Sequence, residues 1–295
     1  MRFDYLEPDT LESAVRLLQE FGERAKILAG GTDLIVQMKT KAVQPEFVIH
    51  IGRIEEIKGI APGPDGSLWI GALTTMRTIE KFQSLPDGFD LLRQGASQVS
   101  SPQIRNVATL GGNLCNGIPS ADTVPALIAL GARAFIVSSE GKREVPVEEF
   151  HVAPGLTVLK SNELLLGFSI PCQPPFSGGT YFKHTPRGTF ELAIVGVAAH
   201  LTLDPGDLAC KRARIVLGAC GPTPLRARKA ESLLEGSRMD NGLIEEASQA
   251  AAGEARPNPG VSVRASASHR RKMVAVWTRR AIKESWNKAL TEGPN

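Results

Sequence analysis

Leu11, Ala14, Val15, Leu18 and Phe21 recur at the spacing of three and four that places them on one face of a helix. Thr10 stands where a capping hydroxyl belongs, and Gly22 where such a helix ends. The pattern then shortens. Ala25 to Leu28 has the length of a buried strand and runs into a glycine pair. Leu34 to Met38 is apolar again and helical in character, and Phe47 to Ile51 reads as a second strand before Gly52. Helix, strand, glycine turn, short helix and strand within about 55 residues predict a small parallel α/β unit.

Turn chemistry follows in APGPDG, residues 61–66, which places a boundary within 52–66. SLWIGAL reads as a strand, and helices are expected over 75–83 and 88–99. A glycine- and asparagine-rich stretch, ATLGGNLCNGIPSAD, comes next. Thr123 to Leu130 then predicts a helix, Arg133 to Ser138 a strand, and Val158 to Ile170 strand signals broken by SNE. CQPPFSGG, residues 172–179, is a second linker by composition. Beyond it TYFKHTP, LAIVGVAAHLTL and ARIVLGAC predict three strands, antiparallel in arrangement. ARKAESLLEG, GLIEEASQAAAGEA and a stretch from Arg270 to Lys288 predict helices. The expected class is α+β. Its expected units are a small parallel α/β unit over 1–57, a mixed one over 58–176 and an antiparallel sheet with helices over 177–295.

Composition narrows the classes. The 295 residues, 42% of them hydrophobic, supply a sizeable core. A net charge of +3 is too small to argue for nucleic acid or an acidic membrane surface. The opening MRFDYLEPDT lacks the apolar stretch of a signal peptide, and no apolar run reaches the ~18 residues of a membrane helix. Cys115, Cys172, Cys210 and Cys220 are scattered without a C-x-x-C, and the five histidines show no ligand spacing, so no metal site is signalled. The expectation is a reduced, cytoplasmic, soluble protein.

Two stretches carry double glycines, AGGTD at 29–33 and TLGGN at 109–113, each joined to hydroxyl and carboxylate or amide side chains. Backbone N–H groups in a tight glycine turn form a concavity for anionic oxygens. Thr32, Thr109 and Asn113 add side-chain donors, each such bond to a charged phosphate being worth about 1.5–3 kcal/mol. One glycine pair reads first as an ordinary turn; two in one chain give anion binding equal standing. The Rossmann fingerprint is absent, and Gly112 to Gly117 has P-loop spacing but Ile118 and Pro119 where Lys and Ser/Thr belong.

In context, ILAGGTDL and SPQIRNVATLGGNLCNGIPSAD resemble the flavin-binding medium subunits of the molybdenum hydroxylases, the family of bacterial xanthine dehydrogenase, aerobic CO dehydrogenase and nicotinate dehydrogenase. The likeness runs from FDYLEPDTLESAVRLL to SHRRKMVAVWTRRAI, and LCNG at 114–117 is most similar to the bacterial xanthine dehydrogenase branch. The resemblance implies a vanillyl-alcohol-oxidase/PCMH-type FAD-binding fold, two α/β subdomains holding FAD between them, followed by a C-terminal α+β domain. It implies that Lys26, Ile27, Leu28, Ala29, Gly30, Gly31, Thr32 and Asp33 form one pyrophosphate loop, and Thr109, Leu110, Gly111, Gly112 and Asn113 the other. Asp122 would bind ribityl or ribose hydroxyls, Leu164 pack on the cofactor, and Lys183 lie beside the flavin.

Other readings of these residues stay open. Asp122 also suits a helix N-cap, and Lys183 a surface position. The basic run Arg264, Arg270, Arg271, Lys272, Arg279 and Arg280 reads as a solvated or subunit-facing helix side. Val99 occupies a ring-shielding position but is small; Glu191 and His269 depart from the family's usual Asp and Tyr. The loop 184–190, with Arg187, is a candidate NAD contact.

The implied partners are a large molybdenum–pterin subunit and a small subunit with 2Fe-2S clusters, in a dimer of heterotrimers. Electrons would leave to NAD or another acceptor. Two other classes remain, a standalone FAD-dependent oxidoreductase of this fold and a non-catalytic phosphate-ligand or assembly module.

Overall fold

The computed structural model describes residues 2–63, 65–83, 88–188, 190–257 and 264–291. Pro64 of the expected first turn and Thr189 of the loop 184–190 lie outside the described residues. The chain forms a mixed α+β architecture around three principal sheets.

The first sheet is parallel, with strand order β1 (Asp4–Leu6), β3 (Phe47–His50) and β2 (Ala25–Leu28). Helix α1 (Leu11–Phe21) buries Ala14, Val15 and Leu18, the face its periodicity predicted. Thr10 Oγ1 accepts the Ser13 N–H at 3.2 Å and Gly22 turns the chain at φ +50°. Phe21 stacks on Phe47 at 3.9 Å between ring centroids, which locks α1 to the sheet. Helix α2 (Leu34–Lys39) follows β2 across the glycine turn. Strand β1 was not predicted: three residues, two of them exposed, carry no alternation.

The second sheet is antiparallel, built from β4 (Ile60–Pro62), β5 (Leu68–Gly71), β6 (Arg133–Ser138), β7 (Gly141–Pro146) and β10 (Leu164–Ile170) in the order β4-β5-β10-β6-β7. Helices α3 (Met76–Lys81), α4 (Asp90–Ser97), α5 (Pro102–Arg105), α6 (Leu110–Cys115) and α7 (Thr123–Leu130) pack around it, and β8 (His151–Ala153) with β9 (Leu156–Thr157) forms a small hairpin. Every residue of α7 is buried, because it lies between this unit and the third sheet. The glycine-rich stretch therefore holds one short helix, α6, and the strand signals over 158–170 narrow to β10.

The third sheet comprises β11 (Ser177–His184), β12 (Val195–Leu203), β13 (Cys210–Gly218) and β14 (Leu225–Arg226), antiparallel in that order. β12 is buried along its whole length. Ala198 joins the core around α7, while Val197 and Ala199 join the core under helices α8 (Arg228–Leu234), α9 (Asn241–Glu254) and α10 (Ala267–Thr291). The side-chain period of two explains this division. The expected linker 172–179 is corrected at its end: Ser177, Gly178 and Gly179 belong to β11, where the glycines make room. A Cβ on Gly178 would sit 2.3 Å from Ser285 O and Ala289 N, so α10 lies directly on this strand. The basic run is corrected at Arg270, which is buried and donates to the carbonyl oxygens of Ile194 and Ala219. Among the described residues no helix is long and apolar enough to cross a membrane.

Candidate functional site

One cavity of about 460 Å3 opens where the three sheets meet. That size is in the ~300–1,000 Å3 range of small-molecule sites. Its wall takes Ile27, Ala29, Gly30, Gly31, Thr32 and Asp33 from the first glycine loop, and Thr109, Gly111, Gly112 and Asn113 from the second. Asp122, Leu164, Lys183 and Val99 also line it. Three expected residues stand outside the wall. Lys26 and Leu28 alternate with Ile27 and Ala29, so their side chains point off the cavity face. Leu110 is fully buried in the core of the second unit.

The two glycine loops do different physical work. Among the described residues, the N–H groups of Gly30, Gly31, Thr32 and Asp33 have no acceptor within the chain. They are donors left over for a ligand. Gly31 adopts φ +72°, the left-handed region that favours glycine. Gly30 is required for close packing: a Cβ there would lie 2.0 Å from Val107 O. The second loop instead has its amides engaged. Leu110 N donates to Thr74 O at 2.9 Å, Gly111 N to Ala72 O at 2.8 Å, Gly112 N to Thr109 Oγ1 at 3.0 Å and Asn113 N to Thr109 O at 3.0 Å. The expectation that both loops cradle an anion with free backbone N–H groups is corrected for this one. Gly111 serves packing, against Ala72 O, and among the four residues this loop gives the wall Asn113 offers a side-chain amide. Thr123 Oγ1 donates to Asn113 Oδ1 at 2.6 Å, leaving the Asn113 amide group as a donor. Gln37 Nε2 donates to Asn116 Oδ1 at 3.2 Å and ties α2 to the end of α6 across the cavity wall.

At the side facing the third sheet, Lys183 Nζ donates to Asp122 Oδ2 at 2.7 Å and to Gln98 O at 2.9 Å. The Tyr181 hydroxyl donates to Asp122 Oδ1 at 2.8 Å. The Lys183 and Asp122 side chains are 5% and 7% exposed, so Lys183 is not a surface lysine. Asp122 makes no side-chain cap to α7. Burial pushes its carboxyl up to about 6, against the opposing pull of Lys183 and the Tyr181 hydroxyl. Sequence reasoning missed Tyr181 and the Gln98 carbonyl. The signal for Tyr181 was available: it sits two residues from Lys183 on one strand and shares its face.

Phe190, Glu191 and Leu192 border the cavity. Glu191 lines the cavity and accepts the Arg187 N–H and Nε, each at 2.8 Å, which hold its carboxyl below the usual range. Phe190, at φ +60°, and Leu192 line the same edge and are exposed. His269 lies against His184, which lies against Trp277, with ring centroids 5.9 and 5.8 Å apart. Ile27, Ile51, Leu73, Ile104, Leu164 and Leu165 give the interior an apolar lining. Free amides at one end, apolar walls and a carboxylate–ammonium pair suit a ligand with anionic oxygens, hydroxyls and a flat apolar body.

Comparison with known proteins gives the same picture. Residues 1–173 match the FAD binding domain in molybdopterin dehydrogenase, and residues 180–285 the CO dehydrogenase flavoprotein C-terminal domain. The chain is 34% identical to the xanthine dehydrogenase FAD-binding subunit of Escherichia coli O157:H7 over 95% of each chain. It is 33% identical to the carbon monoxide dehydrogenase medium chain of Afipia carboxidovorans over 96% of each. Among solved structures, carbon monoxide dehydrogenase from Hydrogenophaga pseudoflava superposes with a TM-score of 0.92 at 31% identity, covering 98% of both chains.

Proposed function

The chain belongs to the family of FAD-binding subunits of the molybdenum hydroxylases, oxidoreductases of the xanthine and CO dehydrogenase type, and from that premise we propose how its cavity serves electron transfer. The residues present fit FAD. The unengaged amides of Gly30 to Asp33 would hold the pyrophosphate, and Thr32 would add its hydroxyl. Thr109 to Asn113 would close the opposite side, chiefly through the Asn113 amide. Asp122 would accept from ribityl or ribose hydroxyls, and Leu164 and Val99 would pack on the flat rings. Lys183, already shared with Asp122, would present its remaining N–H to the flavin. Lys26, Leu28 and Leu110 would support the loops from behind.

When bound, the flavin supplies a redox centre that accepts and releases electrons. The chain would bind and orient that centre. We assign it the role of receiving electrons from 2Fe-2S clusters of a small subunit. These would originate at a molybdenum–pterin centre of a large subunit and leave to NAD or another acceptor at the edge bordered by Phe190, Glu191 and Leu192. The assembly would be a cytoplasmic dimer of heterotrimers, with this chain divided at about residues 57 and 176 into two FAD-binding subdomains and a C-terminal domain. The convergence of both glycine loops and Lys183 on one cavity carries this reading.

Co-expression with the genes of a large and a small subunit tests it. The reading expects one three-chain complex containing flavin, molybdenum and iron, with NADH bleaching the visible flavin band under anaerobic conditions. A chain that elutes alone contradicts the subunit role. A complex whose flavin is untouched by NADH contradicts NAD as acceptor.

A further inference from the structure

We infer that Tyr181 is a positioning residue. Its hydroxyl holds one oxygen of Asp122, so that the carboxylate stays charged and turns its other oxygen to Lys183 at the cavity wall. Tyr181 does not itself line the cavity. It is 5% exposed, and its hydroxyl donates to Asp122 Oδ1 while Lys183 takes Oδ2. The two donors come from one face of β11 and divide the two oxygens between them.

The tyrosine is itself held. Its N–H donates to Gln94 Oε1 at 2.7 Å, and the Thr180 hydroxyl reaches the same oxygen at 3.1 Å, fixing β11 to α4. Gly196, paired with Lys183 in the sheet, leaves room for the phenol: a Cβ there would lie 2.8 Å from the hydroxyl oxygen. A buried carboxylate that loses a donor favours its protonated form. A neutral Asp122 would leave Lys183 as an uncompensated cation in the wall. Tyr181 thus sets the charge at this side of the site through Asp122.

The groups that face this pair are few. Lys183 and Tyr181 come from β11, and Cys220 lies beside Tyr181. Asp33, Cys115 and Glu191 belong to the same cavity wall, Glu191 being tied to Arg187.

The consequence for a bound flavin rests on the reading above; the positioning itself does not, and the test separates the two. The chain has two tyrosines, so Tyr5→Phe leaves Tyr181 alone. With 13Cζ-labelled tyrosine in the full-length, ligand-free chain, the Tyr181 resonance is expected to follow one titration that disappears in Asp122→Asn. With 13Cγ-labelled aspartate, Tyr181→Phe is expected to raise the Asp122 midpoint by about one pH unit. A Tyr181 resonance indifferent to Asp122→Asn, or an unmoved Asp122 midpoint in Tyr181→Phe, overturns the inference. In the FAD-bound chain, Tyr181→Phe should shift the pH profile of the FAD dissociation constant, and Asp122→Asn should abolish that shift. Persistence of the shift in the double variant shows a merely structural role. If the wild-type chain takes no FAD, the cavity reading fails while the two NMR measurements still decide the positioning role.

Discussion

Gly30 and Gly112 look alike in the sequence and differ in what surrounds them. A methyl group on Gly30 meets backbone, Val107 O at 2.0 Å, whereas on Gly112 it meets only the Thr109 hydroxyl at 2.9 Å. Gly30→Ala is therefore expected to cost about 1–3 kcal/mol and to weaken FAD binding at least tenfold, with Gly112→Ala clearly milder in both. Equilibrium denaturation and FAD titration of the two variants check the order. Lys183 gives a second contrast. Lys183→Met strands a buried carboxylate, a loss of about 3 kcal/mol or more at neutral pH, and adding Asp122→Asn should recover part of it. A double variant no more stable than the single one would show that the pair is not coupled.

His200 makes one large contribution to the pH dependence. It is 4% exposed in β12, and burial, with Arg214 and Arg212 nearby, lowers its pKa to about 3. The unfolded chain then takes up the proton first as pH falls. The stability His200 contributes is full above the ordinary histidine value and is lost below it, by roughly 2 kcal/mol between pH 7 and pH 5. Asp122, raised to about 6, contributes with the opposite sign over that range, so the test is the difference: the stability gap between wild type and His200→Leu in urea unfolding should change by this amount between pH 7 and pH 5.

Among the elements, α1 and the strands of the third sheet were legible because their apolar periods are long and uninterrupted. α6 was not: TLGGNLC has poor helix propensity, and its turn is held by bonds to Thr74 and Ala72, far away in sequence. Strand β11 was cut short for a related reason. Gly178 and Gly179 read as linker glycines, yet they sit under α10 and beside Leu91. Gly178→Val should push α10 off the sheet, lowering the melting temperature by several degrees and altering the near-ultraviolet signal of Trp277 and Trp286. An unchanged melt would mean that the helix contact at Gly178 is dispensable. Arg270 shows the limit of local reading: within RRK it looks solvated, and only the fold brings the Ile194 and Ala219 carbonyls to it.

For the molecule as a whole, the site exists only where the three sheets meet. The first supplies free amides, the second apolar walls with Asn113 and Asp122, and the third Lys183 and the rim at Glu191. The glycine loops were visible in the sequence as motifs. Their division of labour was not, because which amides are engaged depends on contacts from Ala72 and Thr74. The most direct measurement is an absorbance titration of the purified full-length chain with FAD. The account predicts saturable binding at one FAD per chain with a perturbed flavin spectrum, weakened by Gly30→Ala. A chain that leaves the spectrum of free FAD unchanged at every concentration would contradict it.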